Sequence, residues 1–427
     1  MSYARWATRE ELLERLQKIN PKEKVEKSGI PLAYDNEELY IDDSAAHNLI
    51  IGATGSGKTQ TTILPMMNLA VSANESIVIN DPQGEIYEFM KEKLNNAGYN
   101  TVVLNFEQPS EGNKWNPLSL AQNLYRSGNK DKASKLLDDI GYYVFEDKPS
   151  NDTDPFWTNS TINLFTGLAL YLFENFSQEV NLSSIIALKE HIEKVGSKEF
   201  MKKITKGSEI YSNLSGTLLA PSETKGSIMS VFYQKIREYI SRENTRNMLS
   251  TSNFDIKTIN QKPTALFIIS GVSSSTNSLI PLLISQIIDC ISLSNVKDKR
   301  VNVFLDEFDT LMPIRDFSRM LEYSRSINVR ITALIKSYIH LSNIYSKEET
   351  EILKMCFGNI IYLLSNDIYT LNEVSKQCGN KEENGRIAPL ITPEELKVLE
   401  QFEAVLLLPR MMPVKTKILP NYKINWD

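Results

Sequence analysis

The run Gly52-Ala53-Thr54-Gly55-Ser56-Gly57-Lys58-Thr59 has the composition and spacing of a phosphate-binding loop, and Gln60 closes the stretch expected to bind a nucleotide. Glycines at these positions let successive backbone N–H groups turn inward around a β-phosphate at a helix N-terminus. Lys58 is expected to reach the β- and γ-phosphates, and the Thr59 hydroxyl to ligate Mg²⁺. A second string, Val301-Asn302-Val303-Phe304-Leu305-Asp306-Glu307, ends an apolar run in two adjacent carboxylates. Asp306 is expected to hold Mg²⁺ through its water shell, and Glu307 to orient and deprotonate an attacking water. ATP with Mg²⁺ is therefore the expected cofactor pair. Asp309 reads as a helix-start residue rather than a third carboxylate of the site.

These residues need strands to carry them. Near-continuous Val, Ile and Leu without polar alternation marks strands buried on both faces. Such runs occur at 48–52, 76–80, 101–105, 264–270, 301–305, 331–335, 359–364 and 404–408, with helical stretches at 58–71, 84–96 and 278–293 between them. The alternation implies an α/β fold with a doubly wound, mostly parallel sheet. From 118 to 247 no convincing strand occurs, and Phe165, Leu168 and Leu172, with Leu164 beside them, follow helical spacing. The expected organisation is a nucleotide-binding domain in two parts, 1–117 and 248–427, with an all-α domain inserted at 118–247. About 250 residues thus separate Lys58 from Asp306, far beyond the ~30 of one βαβ unit. That spacing is the layout of a ring motor rather than a small GTPase or metabolic kinase.

Composition narrows the class. The 427 residues are 41% hydrophobic and 23% charged, close to the average for globular proteins. Forty-seven basic against fifty-three acidic side chains give a net charge of −6, which argues against coating nucleic acid electrostatically. Three cysteines, Cys290, Cys356 and Cys378, have no metal spacing and suit a reducing cytosol. No window approaches the ~20 apolar residues of a membrane helix, and the opening MSYARWATREELLERL lacks the apolar core of a signal peptide. The expectation is a soluble chain. The lysine-rich stretch 189–206 is interleaved with Glu and reads as a solvated helix face. His47 reads as a residue leading into a strand, and His340 as a surface helix residue.

Several strings together resemble the type IV secretion coupling proteins, the TraG/TraD-like ATPases of conjugation. They are ARWAT near the start, GATGSGKT, DPQGE (81–85), KWNPL (114–118), DPFW (154–157), ETKGSI (223–228), FLDEFDTL, SND (365–367) and PLITPEEL (389–396). The resemblance spans nearly the whole chain. It implies a RecA-like P-loop nucleotide-binding domain, an all-α domain, ATP-dependent hexamers and an N-terminal membrane anchor, so this chain reads as the cytoplasmic part beginning after that anchor. It implies a place at the cytoplasmic face of the bacterial plasma membrane. Implied partners are a relaxase or relaxosome adaptor, single-stranded DNA bound without sequence preference, and components of the secretion channel. The arginine that the family carries between the helix after the Asp-Glu strand and the next strand corresponds to Arg325, among Arg319, Arg325 and Arg330. A ring neighbour's guanidinium there would stabilise the transferring phosphoryl group. One departure stands out: where the family has Gln in a string like QSLxQL, this chain has KSYIHL, placing Lys336 and His340 at the two Gln positions. The expected function is an ATP-hydrolysing coupling protein delivering relaxase–DNA or protein substrates. The alternatives are a nucleotide-binding receptor with weak or no ATPase activity and an FtsK-type DNA pump.

Overall fold

Strands that are apolar on both faces must be covered on both faces, and the chain folds accordingly. The computed structural model describes residues 3–146, 154–271, 276–294, 299–383 and 385–426; Met1 and Ser2 of the opening string lie outside them. Its strands are β1 (Gln17–Ile19), β2 (Ile30–Asp35), β3 (Glu38–Asp42), β4 (Asn48–Gly52), β5 (Ser76–Asn80), β6 (Asn100–Asn105) and β7 (Thr264–Ile269). They continue with β8 (Val301–Leu305), β9 (Val329–Ile335), β10 (Asn359–Leu364), β11 (Asn380–Glu383), β12 (Arg386–Pro389), β13 (Glu403–Leu407) and β14 (Val414–Lys417). Nine of them form one sheet in the order β14-β13-β10-β4-β9-β8-β5-β7-β6. From β10 through β7 the neighbours run parallel, while β13 and β14 close one side antiparallel. Every residue of β4, β5, β7, β8 and β9 is buried. This is an α/β fold with a mostly parallel mixed sheet and a helical insert.

The chain divides into two compact units. The first holds Met1–Thr101, Ile256–Ile268 and Ile288–Asp427. Its core joins strand residues such as Ile50, Ile79, Phe304 and Leu334 to Met66, Met67 and Ala70 of the helix Leu64–Ser72. That helix is buried from Leu64 through Val71, which is what a helix apolar all round requires. Beneath the sheet, at the N-terminal ends of β8 and β9, lies a buried polar network. Arg330 Nη2 donates to Asn302 Oδ1 at 2.7 Å and to Ser28 Oγ at 2.7 Å. Asn302 Nδ2 and Ser28 N donate to the Glu75 carboxylate at 2.8 and 3.0 Å. A guanidinium inside a strand is tolerable only because these acceptors meet it.

The second unit, Val102–Asp255 with Ile269–Ile287, is mainly helical. The helix Pro155–Asn175 buries Leu164, Phe165, Leu168 and Leu172, the stripe its spacing predicts. Phe145 stacks on Phe232 with centroids 5.3 Å apart and meets Phe165 edge-on at 5.5 Å. Gly167 permits a close helix crossing: a Cβ there would lie 2.7 Å from Leu214 Cδ2. In the stretch 189–206, Lys202 pairs with Glu199 on the surface, but Lys189 is buried, with its ammonium over the Tyr233 ring. No helix among the described residues is long and apolar enough to cross a membrane.

Candidate nucleotide site

Parallel strands bring their carboxyl ends to one edge, and sites form where such ends lie side by side. Here β4, β9, β8 and β5 are consecutive neighbours. Their register sets Ile51 opposite Ile335, Leu305 opposite Ala333 and Asn80 opposite Leu305. The residues that follow, Gly52, Lys336, Asp306 and Asp81, are therefore delivered to the same edge from two stretches of chain more than two hundred residues apart.

The loop after β4 has the shape a phosphate needs. Gly55 and Gly57 have φ of 79° and 89°, backbone that side-chain-bearing residues resist. A Cβ on Gly52 would collide with Ser56 Oγ and lie 2.9 Å from Lys58 Cγ. Lys58 Nζ turns back onto the loop, donating to Gly52 O and to Ala53 O, the latter at 3.2 Å. Burial pushes its pKa down, against the raising effect of Asp306, Asp309 and Glu307. Among the described residues, Ser56 Oγ and Gln60 Oε1 are buried without a hydrogen-bond partner, so the loop presents polar atoms that a ligand would satisfy. These features fit a bound nucleotide phosphate. Thr59 begins the helical turn Thr59–Ile63 that leads into the buried helix.

Facing the loop, Asp306 Oδ1 accepts the Glu307 N–H at 3.0 Å, and Asn80 Nδ2 donates to Asp306 O at 2.9 Å. Glu307 adopts a left-handed φ of 49°, a conformation that non-glycine residues keep mainly where surroundings enforce it. Burial raises the pKa of Asp306, countered by the Glu307 N–H and by Lys58. Asp81 is pushed up to about 6, first by burial and further by Asp306, although the Tyr87 N–H opposes the shift. Desolvated carboxylates that sense each other's charge fit a divalent cation. Among the described residues no group of three or more His, Cys, Asp or Glu could hold a metal alone, so phosphate oxygens and water would complete an octahedral Mg²⁺ shell.

Asp309 does more than begin a helix. It lies in the first turn of the short helix Phe308–Thr310, fully buried, with Oδ2 accepting the Lys336 N–H at 2.7 Å. Its Oδ1 has no hydrogen-bond partner among the described residues, and its pKa is raised by burial. Lys336 Nζ lies 3.5 Å from Glu307 Oε1. His340 is more than half exposed, with Nδ1 against the Ser337 hydroxyl at 3.1 Å. Asp81 and Phe402 also belong to the site, although sequence reading gave neither a role. The Phe402 ring packs on the loop, 3.2 Å from where a Gly57 Cβ would be, with its backbone at φ 67°. Only DPQGE in the sequence pointed to Asp81; nothing pointed to Phe402.

Arg325 lies elsewhere. It precedes β9 by four residues, so the seven-residue strand, roughly 20 Å long, separates it from its own chain's loop. It is exposed and donates to Cys356 O at 2.9 Å, near the end of the helix Lys347–Cys356. Arg330 is sealed in the polar network described above. His47 is buried, with Nε2 on Leu321 O at 2.7 Å and Nδ1 accepting the Ile331 N–H at 3.0 Å; burial lowers its pKa to about 4. The string SND caps a helix: Asp367 accepts N–H groups of Tyr369 and Thr370, while Leu364 O accepts Ala53 N–H from the phosphate loop at 2.8 Å.

Comparison with known proteins adds context. The profile of the family described as type IV secretory system conjugative DNA transfer matches residues 4–386. No curated protein matches. Among solved structures, plasmid coupling protein TrwB in complex with a non-hydrolysable ATP analogue superposes with a TM-score of 0.68 at 17% identity, covering 98% of this chain and 94% of that one. TrwB with ADP and Mg²⁺ gives 0.66 at 18% identity, with the same coverage of 98% and 94%. VirB4 of Thermoanaerobacter pseudethanolicus gives 0.51 at 14% identity, covering 93% of this chain and 98% of that one.

Proposed function

Because the chain belongs to the type IV secretory system conjugative DNA transfer family, we propose that it is an ATP-hydrolysing coupling protein that delivers relaxase–DNA or protein substrates to a secretion channel. One observation carries the enzymatic half of this reading: a glycine cradle with Lys58 and the pair Asp306–Glu307 converge at the carboxyl ends of neighbouring parallel strands. Lys58 leaves the loop carbonyls for the β- and γ-phosphates, and backbone N–H groups of residues 52–60 hold the β-phosphate. Thr59 and Asp306 would hold Mg²⁺, which supplies charge neutralisation across the β- and γ-oxygens. Glu307 takes a proton from the attacking water as the new phosphorus–oxygen bond forms. The γ-phosphorus to bridging-oxygen bond breaks, and its electron pair leaves with ADP.

The active form is a homo-hexamer in which Arg325 of one subunit serves the nucleotide of the next, and its exposure supports such a role. The helical segment 118–247 recognises a relaxase or relaxosome adaptor, and single-stranded DNA is contacted without sequence preference. The site of action is the cytoplasmic face of the plasma membrane. A second reading, a nucleotide-binding receptor with weak turnover, is favoured by the Lys336 ammonium lying on the proposed base. Steady-state ATP turnover with and without single-stranded DNA separates the two. Stimulated turnover supports the motor; nucleotide binding with negligible turnover in both conditions supports the receptor. Pull-down of relaxase by the whole chain but not by a variant lacking 118–247 that still binds nucleotide would support the cargo role.

A further inference from the structure

Lys336 directly follows β9, and three observations set its surroundings. Its ammonium lies 3.5 Å from Glu307 Oε1, with the two side chains 31% and 37% exposed. Its backbone N–H is fixed on the buried Asp309 carboxylate at 2.7 Å. Lys58 responds to the charge of Lys336 as well as to those of Asp306, Asp309 and Glu307. Two ammonium groups therefore flank one group of carboxylates, with the phosphate loop on the side of Lys58. A terminal phosphoryl group drawn in by Lys58 enters the field of Lys336. A partly exposed ion pair is weakly held, so a phosphate with more charge and three acceptor oxygens outcompetes the carboxylate.

We propose that Lys336 senses the γ-phosphate and locks the base: it holds Glu307 while no triphosphate is bound and passes to the γ-phosphate when one arrives. The inference rests on reading the loop as an ATP site and Glu307 as its base. Lysine suits an exchange of partners, being a compact point charge on a flexible four-carbon stem with three rotatable donors. While the ammonium sits on Glu307, it occupies the carboxylate oxygen that would otherwise meet the attacking water. Its departure frees that oxygen at the moment a substrate is present. Loss of the cleaved phosphate returns Lys336 to Glu307 and resets the site. A neutral side chain such as Gln could contact a phosphate but would not restrain the base by charge.

The test is nucleotide discrimination, read by titration calorimetry with Mg²⁺ and either ADP or a non-hydrolysable ATP analogue. Lys336→Met is expected to weaken the analogue about tenfold and to shift ADP by less than twofold. Glu307→Gln, which removes the competing carboxylate, is expected to tighten the analogue several-fold when Lys336 is present and not at all beside Lys336→Met. Lys336→Gln, which keeps a hydrogen-bonding side chain, serves as the second variant and is expected to lose the Glu307-dependent effect as well. If ADP and the analogue weaken equally, or if Glu307→Gln tightens the analogue regardless of residue 336, Lys336 is a surface ion pair and the inference fails. If the unmodified chain binds neither nucleotide, the ATP-site reading itself falls, and the sensor with it.

Discussion

Lys58→Ala gives the sharpest quantitative expectation, because Lys58 has different partners with and without nucleotide. In the structure its ammonium donates to two loop carbonyls, Gly52 O and Ala53 O, and burial already disfavours its charge. Removing it from the nucleotide-free chain is expected to change stability by no more than about 1 kcal/mol. With ATP bound, the same group makes charge-assisted hydrogen bonds to phosphate, each worth ~1.5–3 kcal/mol, so the loss weakens binding by roughly tenfold to a hundredfold. Thermal denaturation reads this directly. Nucleotide at a hundred times its Kd stabilises the unmodified chain by ~2.7 kcal/mol. For a cooperative unit of about 250 residues, that is roughly 5 °C in Tm. If Kd rises about a hundredfold, the same concentration leaves ~0.4 kcal/mol, a shift below about 1 °C. A full shift of about 5 °C in Lys58→Ala would refute the placement of the phosphates on this loop.

Arg325→Ala is expected to lose turnover alone and to regain part of it when mixed with Lys58→Ala subunits, since each supplies what its neighbour lacks; no rescue in a verified mixed oligomer removes Arg325 from the trans role. His47 has its folded pKa lowered to about 4 by burial, against ~6.5 unfolded, so the unfolded chain takes up the proton first and stability falls as pH drops from about 6.5 toward 4. By pH 5 this amounts to ~2 kcal/mol, and urea denaturation at pH 7 and pH 5 should show a loss smaller by that amount in His47→Asn. Glu75→Ala removes the carboxylate that holds Ser28 and Asn302 around the buried Arg330. It should cost ~3 kcal/mol by urea denaturation, and a cost under about 1 kcal/mol would make the network dispensable.

What the sequence revealed and concealed follows from the range of the interactions. Strands β4, β5, β8 and β10 lie where their apolar runs end, because burial on both faces is written into each local segment. The strand expected from 331 begins two residues earlier, at Val329. Arg330 breaks the apolar run, and only Asn302 and Ser28, distant in sequence, make it tolerable there. The short antiparallel strand Val414–Lys417 reads VKTK, an alternation too brief to stand out and typical of a guarded sheet edge. The glycine-rich loop 52–59 stands out in the sequence because its turns demand glycine at fixed spacing, and Asp306–Glu307 because two carboxylates end an apolar strand. Asp309 does not, since its partner is a backbone N–H on β9's far side, at Lys336. Nor does Phe402, whose ring meets Gly57 across 345 positions of chain.

In the proposed mechanism Glu307 removes a proton from water while Lys58 and its loop hold ATP independently of that step. Single-turnover hydrolysis of radiolabelled ATP, with bound nucleotide counted on the same samples, tests both halves at once. Glu307→Gln is expected to retain Mg²⁺-dependent ATP at least as well as the unmodified chain while cleaving it slower by about 10²-fold or more. Equal cleavage rates in the two proteins, with ATP bound to both, would contradict the account.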